Sequence, residues 1–128
     1  MTESFGSEHW PTEIRLRRAE RMLEIDFDNG VTFRYPAELL RVESPSAEVQ
    51  GHGPSQKQIV AGRAEVGIVG LEPVGNYAVR IIFDDRHNTG IYSWSYFYQL
   101  GERQEEIWDR YLKALAERGL SREPATRG

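Results

Sequence analysis

Hydrophobic and polar positions alternate from residue 13 to residue 35. Ile14 and Leu16 stand between Glu13, Arg15 and Arg17, Leu23, Ile25 and Phe27 flank Glu24 and Asp26, and Val31, Phe33 and Tyr35 flank Thr32 and Arg34. A period of two is that of a strand with one wet face. Asp28-Asn29-Gly30 supplies turn chemistry between the last two runs, because Asn and Gly tolerate positive φ. An antiparallel meander is predicted. Pro36-Ala37-Glu38-Leu39-Leu40-Arg41 then sets a proline before good helix formers and predicts one or two helical turns. Residues 44–62, with Gly51-His52-Gly53-Pro54 at their middle, have no clear period. A loop that long inside a small domain is usually functional or mobile.

The next block has another texture. Val66, Ile68, Val69 and Leu71 are interleaved with Gly67 and Gly70, which predicts a strand buried on both faces, with the glycines marking a close approach or a bulge. Pro73-Val74-Gly75-Asn76 reads as a turn. Tyr77, Val79, Ile81 and Phe83 read as the apolar face of the returning strand, Asp84 to Asn88 as a tight connection, and Thr89 to Tyr92 as a short strand. Ser93 or Ser95 offers a cap for a short helix through Tyr96-Phe97-Tyr98 that ends near Gly101. The period then becomes 3.6, with Ile107, Trp108, Tyr111, Leu112 and Leu115 on one stripe and Gly119 at the expected helix end. Leu112 is expected to be a core position on that stripe. The fold class is α+β: a mostly antiparallel sheet of about six strands, a short helix, and a C-terminal amphipathic helix packed on one face. Residues 1–10 and 120–128 are expected as loose tails around a single domain spanning 11–119.

Length supports one domain, at 128 residues. The formal charge of -4 argues against non-specific nucleic-acid or anionic-membrane binding, since both need a basic face. Lysine occurs only at Lys57 and Lys113, so the positive surface is almost wholly arginine. The absence of cysteine removes disulfides, thiolate catalysis and cysteine metal sites. Met1 to Trp10 lack a signal-peptide pattern, and no apolar run is long enough for a membrane span. A cytoplasmic location is the expectation.

Catalytic signatures fail one by one. Gly51-His52-Gly53 lacks the strand and helix that a phosphate loop needs. No serine sits on a glycine-flanked strand-to-helix elbow. The histidines, His9, His52 and His87, are far apart in sequence. His87 follows Asp84 and Asp85 in a tight connection, where carboxylates could raise its pKa or complete a metal site; Asp and His also favour turns for backbone reasons alone. Tyr92, Trp94, Tyr96, Phe97 and Tyr98 form a dense aromatic cluster, which serves either as core with amphipathic edges or as a ligand platform. Arg15, Arg17, Arg18 and Arg21 are the one basic cluster, and Glu13, Glu20 and Glu24 lie near enough to neutralise it.

Leu40-Arg41 leading into Ser44-Pro45-Ser46-Ala47, then Val74 to Val79, and above all the run from Asp85 through His87-Asn88-Thr89-Gly90-Ile91-Tyr92-Ser93-Trp94, resemble the gamma-butyrobetaine hydroxylase-like N-terminal domain. The resemblance covers about residues 11–112. It implies a domain that precedes an iron- and 2-oxoglutarate-dependent catalytic domain in some relatives, stands alone in others, and in others is fused to a P-loop iron–sulfur carrier of the Mrp type. It also implies a zinc site of three cysteines and one histidine. Those positions are here Ser44, Ser46, Val49 and His87, so thiolates are replaced by hydroxyls and by an alkyl group. Arg86 stands where the family turn usually has glycine. An inherited zinc site is not expected; Glu43, Glu48, His52 and Asp85 are the donors from which a replacement site of harder ligands could be made.

The reading that follows is a non-catalytic accessory or protein-binding module, linked through its fusion partners to iron–sulfur or metalloenzyme maturation. Its partner is expected to be a protein, and no cofactor is expected. Two alternatives stand beside it. One is a small-ligand-binding domain using Arg41, Tyr92 and Trp94; the other is a metal-dependent enzyme with His87 as base and Asp85 as its orienter. The candidate binding residues are Arg41, Glu48, His52, Asp85, Arg86, His87, Tyr92 and Trp94. The Asp84–Asn88 connection and the 44–62 loop are expected side by side, as shared zinc ligation in the relatives requires. His87 is expected on the surface of that corner, cheap to remove in stability.

Overall fold

The computed structural model describes residues 9–51 and 57–124. Among the described residues two three-stranded antiparallel sheets carry six strands, so the expected strand set is divided between two sheets. The first is β1 (Pro11–Arg17), β2 (Met22–Phe27) and β3 (Thr32–Pro36) in sequential order. Its inner face buries Leu23, Ile25, Phe27 and Tyr35, as the alternation requires. On the outer face Glu24 is buried beneath arginines, with Arg34 Nε at 2.6 Å and Arg15 and Arg17 each at 2.9 Å. Hydrogen bonds from Arg15, Arg34 and Arg17 hold its carboxyl at about 2. Arg15 and Arg17 of the basic cluster are thus neutralised within their own sheet. Gly30, at φ 87°, makes the β2–β3 turn, and the Asn29 side chain accepts from Val31 N at 3.2 Å.

Pro36 ends β3 and leads into α1 (Ala37–Val42). Proline has no N–H to offer another strand, which closes this sheet and turns the chain away. Within the stretch expected to lack structure lies a short helix, α2 (Ala47–Gln50), capped by Ser46, whose Oγ accepts from Glu48 N at 3.2 Å.

β4 (Ile68–Val74), β5 (Ala78–Phe83) and β6 (Ile91–Ser93) form the second sheet. Two expectations change here. A register shift between Ile68 and Gly70 leaves Val69 53% exposed rather than buried, with its carbonyl accepting from Arg18 Nη2 at 2.9 Å and so tying the two sheets together. Tyr77 belongs to the turn, not the strand face: pairing begins at Val74↔Ala78, Gly75 takes φ 54°, and Tyr77 is 53% exposed.

Ser93 caps α3 (Trp94–Glu102), its Oγ accepting from Tyr96 N at 3.1 Å, and α4 (Gln104–Glu117) follows after one residue. The sheets and helices share one aromatic core, in which Tyr35 Oη donates to the Phe97 carbonyl at 2.6 Å. On α4 the buried stripe is Tyr111 and Leu115, beside half-buried Ile107 and Trp108; Leu112 is 38% exposed and is not the core position expected. Gly119 N bonds to Ala116 O at 3.2 Å and Leu120 N to Leu115 O at 2.9 Å, with Gly119 at φ 65°: a Schellman ending. The described part of the expected C-terminal tail is not loose. Arg122 forks onto buried Glu38 at 2.7 and 2.9 Å and lies over the Trp108 ring at 5.3 Å, while Gly62 N and Ala64 N bond back to Ser121 O and Arg122 O. No helix among the described residues is long and apolar enough to cross a membrane.

Candidate functional site

The 84–88 connection closes by Phe83 N to His87 O at 3.0 Å and Arg86 N to Phe83 O at 3.2 Å. Arg86 pays for that tightness by adopting φ 75°, a left-handed backbone in which a Cβ is unfavourable. The strand–loop–helix path of α1 and α2 meets this hairpin from the other side. Gly90 lets them touch: a Cβ there would lie 2.5 Å from Ser44 Oγ and 3.0 Å from the Tyr92 ring. The two segments expected side by side are in direct contact.

Contact buries His87, which is 6% exposed rather than on the surface. Its Nδ1 lies 3.2 Å from Glu48 Oε1 and its Nε2 2.9 Å from Ser44 Oγ. A carboxylate only accepts, so the network assigns the proton to Nδ1, and Ser44 donates its hydroxyl hydrogen to Nε2. Ser44 Oγ accepts in turn from Ser46 N at 3.2 Å, and Ser46 Oγ shares a hydrogen bond with Thr89 Oγ1 at 2.6 Å. Burial lowers the pKa of His87, aided by the charge of Arg41 and opposed by Glu48 and Asp85. The imidazole is therefore a neutral strut.

Asp85 does not orient the ring, as the enzyme alternative requires. Its Oδ1 accepts from the His87 backbone N at 3.1 Å, and its Oδ2 receives Arg41 Nε and Arg63 Nε, each at 2.7 Å. Burial would raise its pKa, but the Arg41 and His87 N–H bonds and the charges of Arg41 and Arg63 outweigh it and hold the carboxyl below its ordinary range. Arg41 is itself buried, and its Nη1 has no partner among the described residues.

Ser44, His87 and Glu48 stand in the order of a hydrolytic relay: hydroxyl, imidazole, carboxylate. Sequence reasoning misses this array because it looks for a glycine-flanked elbow; the available signal is that Ser44 and His87 occupy ligand positions of one ion in the relatives. Ser44 is 0% exposed, so a substrate carbonyl cannot reach its oxygen. The geometry is that of a relay and the burial is that of a core.

The residues present do not fit zinc. Of the four family ligand positions only His87 bears a zinc-ligand side chain, and both of its nitrogens are engaged by Ser44 and Glu48. The harder donors do not converge either: Glu43 is paired with Lys57 at 2.7 Å and Asp85 with Arg41 and Arg63, while His52 lies outside the described residues. Among the described residues no group of three or more His, Asp or Glu is placed to hold a metal ion.

The aromatic candidates separate from this corner's surface. Tyr92 is 0% exposed and donates to the Leu40 carbonyl, and burial drives its pKa well upward. It is a core post between β6 and α1. Trp94 is half-buried, stacks on Phe97 and donates Nε1 to Asn76 O at 2.9 Å. The structure thus gathers Arg41, Glu48, Asp85 and His87, adds Arg63 and Thr89, and leaves Arg86 exposed at the edge. Arg63 has no signal in the sequence, since its partner Asp85 is set by tertiary packing alone.

Comparison with solved structures finds close likenesses. A protein solved by solution NMR shares 44% identity at a TM-score of 0.81, covering 100% of this chain and 96% of that one. A second NMR structure shares 42% at 0.80, covering 94% of each chain. A crystal structure of a DUF971-family protein of unknown function from Acidithiobacillus ferrooxidans ATCC 23270 shares 43% at 0.61, covering 71% of this chain and 91% of that one. Comparison with curated proteins gives no match. The family model described as gamma-butyrobetaine hydroxylase-like, N-terminal, matches residues 14–98, and the chain belongs to that family.

Proposed function

We propose that this chain is a non-catalytic protein-binding module whose working surface is the Asp84–Asn88 hairpin, with Arg86 as its contact residue. The supporting observation is the backbone of Arg86. A non-glycine residue in the left-handed region costs roughly 1–2 kcal/mol, and the exposed Arg86 side chain makes no ion pair or hydrogen bond among the described residues to offset it. Strain without an internal return is a pointer to an external contact. An arginine there offers a planar fork to a carboxylate of the partner. Buried Ser44 and neutral His87 serve as the platform beneath, which is why the relay order supports no chemistry. The small-ligand reading loses its support, since Tyr92 is core and Arg41 is committed to Asp85.

The partner class is a component of iron–sulfur or metalloenzyme maturation; the fusion of related domains to Mrp-type carriers supports it by analogy. The test is titration calorimetry against the Mrp-type carrier of the same organism. Arg86→Gly should bind at least tenfold more weakly while raising thermal stability, because glycine relieves the φ strain. Unchanged affinity in the stabilised variant removes Arg86 from the interface, and no binding by the parent protein removes this partner class.

A further inference from the structure

We infer that a second surface, the groove between the start of α1 and the α3–α4 elbow, receives a basic, partly apolar segment of a partner protein. The groove holds about 490 Å³ and is lined by Pro36, Leu39, Gly101, Glu102, Gln104, Glu105 and Trp108. Its shape is built in. Gly101 lies flat on the Phe33 ring, where a Cβ would meet ring carbons at 2.3 Å, so the elbow can carry no side chain at that point. Gln104 is tied by its Nε2 to Arg34 O at 2.9 Å, which fixes one wall. Pro36, Leu39 and Trp108 give an apolar floor.

The charge of the rim selects the occupant. Glu102 and Glu105 are exposed, and neither forms an ion pair among the described residues, whereas neighbouring Glu106 is matched by Arg103 at 2.7 Å and Arg110 at 2.9 Å. Glu105 suits the first turn of α4, where the helix dipole favours an anion. Glu102 is the last residue of α3, where the same dipole disfavours one. The N-terminus of α4, one residue further on, offsets that, but no cation among the described residues matches either carboxylate, and both line the groove. An arginine or lysine fits both requirements: its aliphatic stem covers Pro36 and Trp108 while its head stays between carboxylates in water. The indole of Trp108 already accepts the Arg122 guanidinium at 5.3 Å, the same pairing of cation and ring.

The test is an amide-shift titration of the full chain with an amidated pentapeptide of alternating leucine and arginine, alongside its leucine–glutamate counterpart. The arginine peptide should move the amides of residues 37–39 and 101–108, and Glu102→Gln with Glu105→Gln should weaken it about five- to tenfold, the value of two exposed ion pairs. Both positions are on the surface, so the double variant should melt with the parent. Arg86→Gly should leave this titration unchanged, which separates the groove from the hairpin surface. Equal shifts with the acidic peptide, or an unaltered affinity in the double glutamine variant, overturn the inference.

Discussion

Replacing His87 with alanine tests the corner most directly. The imidazole joins an exposed carboxylate to a fully buried hydroxyl, and the two ends weigh differently. Glu48 is 63% exposed, so losing that end costs little after solvent screening. Ser44 is 0% exposed, and without Nε2 its hydroxyl hydrogen loses the acceptor it has. An orphaned buried polar group costs about 1–3 kcal/mol, and the space left by the ring adds a packing loss of about 1 kcal/mol or more. His87→Ala should therefore destabilise by about 2–4 kcal/mol, roughly a 10 °C fall in melting temperature for a chain of this size. Urea unfolding followed by tryptophan fluorescence measures it. The control is a double-mutant cycle with Ser44→Ala, whose cost should be about 1 kcal/mol smaller in the His87→Ala background, because the bond to Nε2 is then already gone while the bond from Ser46 N is lost in either background. A loss below about 0.5 kcal/mol for His87→Ala, with no coupling to Ser44, would refute the strut and return the residue to the surface.

Three further outcomes follow from the same structure. Leu115→Ala, at a buried position, should cost about 2–4 kcal/mol, and Leu112→Ala, at an exposed one, under about 1 kcal/mol; denaturant midpoints rank them. His87 has a folded pKa below its ordinary 6.5, so below that value the unfolded chain binds the proton first. Its contribution is full above 6.5 and fades as pH falls toward the folded value, a slope that His87→Gln should abolish in melts between about pH 7.5 and 5. Finally, Ser44→Cys, Ser46→Cys and Val49→Cys together restore the family's thiolates opposite His87. The triple variant should take up zinc and melt higher with it, and the parent should not; elemental analysis of both decides.

The strands and turns were legible because alternation over Glu13–Tyr35 and the Asn29-Gly30 pair are local signals. Leu112 misleads because a helical stripe reports amphipathicity, not how far the core extends beneath it; here the core reaches Tyr111 and Leu115 and stops. Val69 misleads because a bulge shifts every later residue to the other face, and no residue type announces the shift. The candidate site was readable only through resemblance. Ser44 and His87 are 43 positions apart, and nothing in their types says that they meet. Arg86 belongs with them: that relatives use glycine there comes from the resemblance, and the left-handed backbone is seen only in the structure.

The clasp between Arg122 and Glu38 has a consequence for how the chain is made. Glu38 opens α1 and is 6% exposed, and the guanidinium that forks onto its carboxylate is translated 84 residues later. During vectorial synthesis the first sheet and α1 can collapse early, but that carboxylate stays unmatched until the segment after α4 has left the ribosome. Burial of a lone carboxylate is unfavourable, so α1 remains only provisionally docked over that interval. Assembly thus has a late latch: the domain commits to its final packing from its C-terminal side, once Arg122 has emerged.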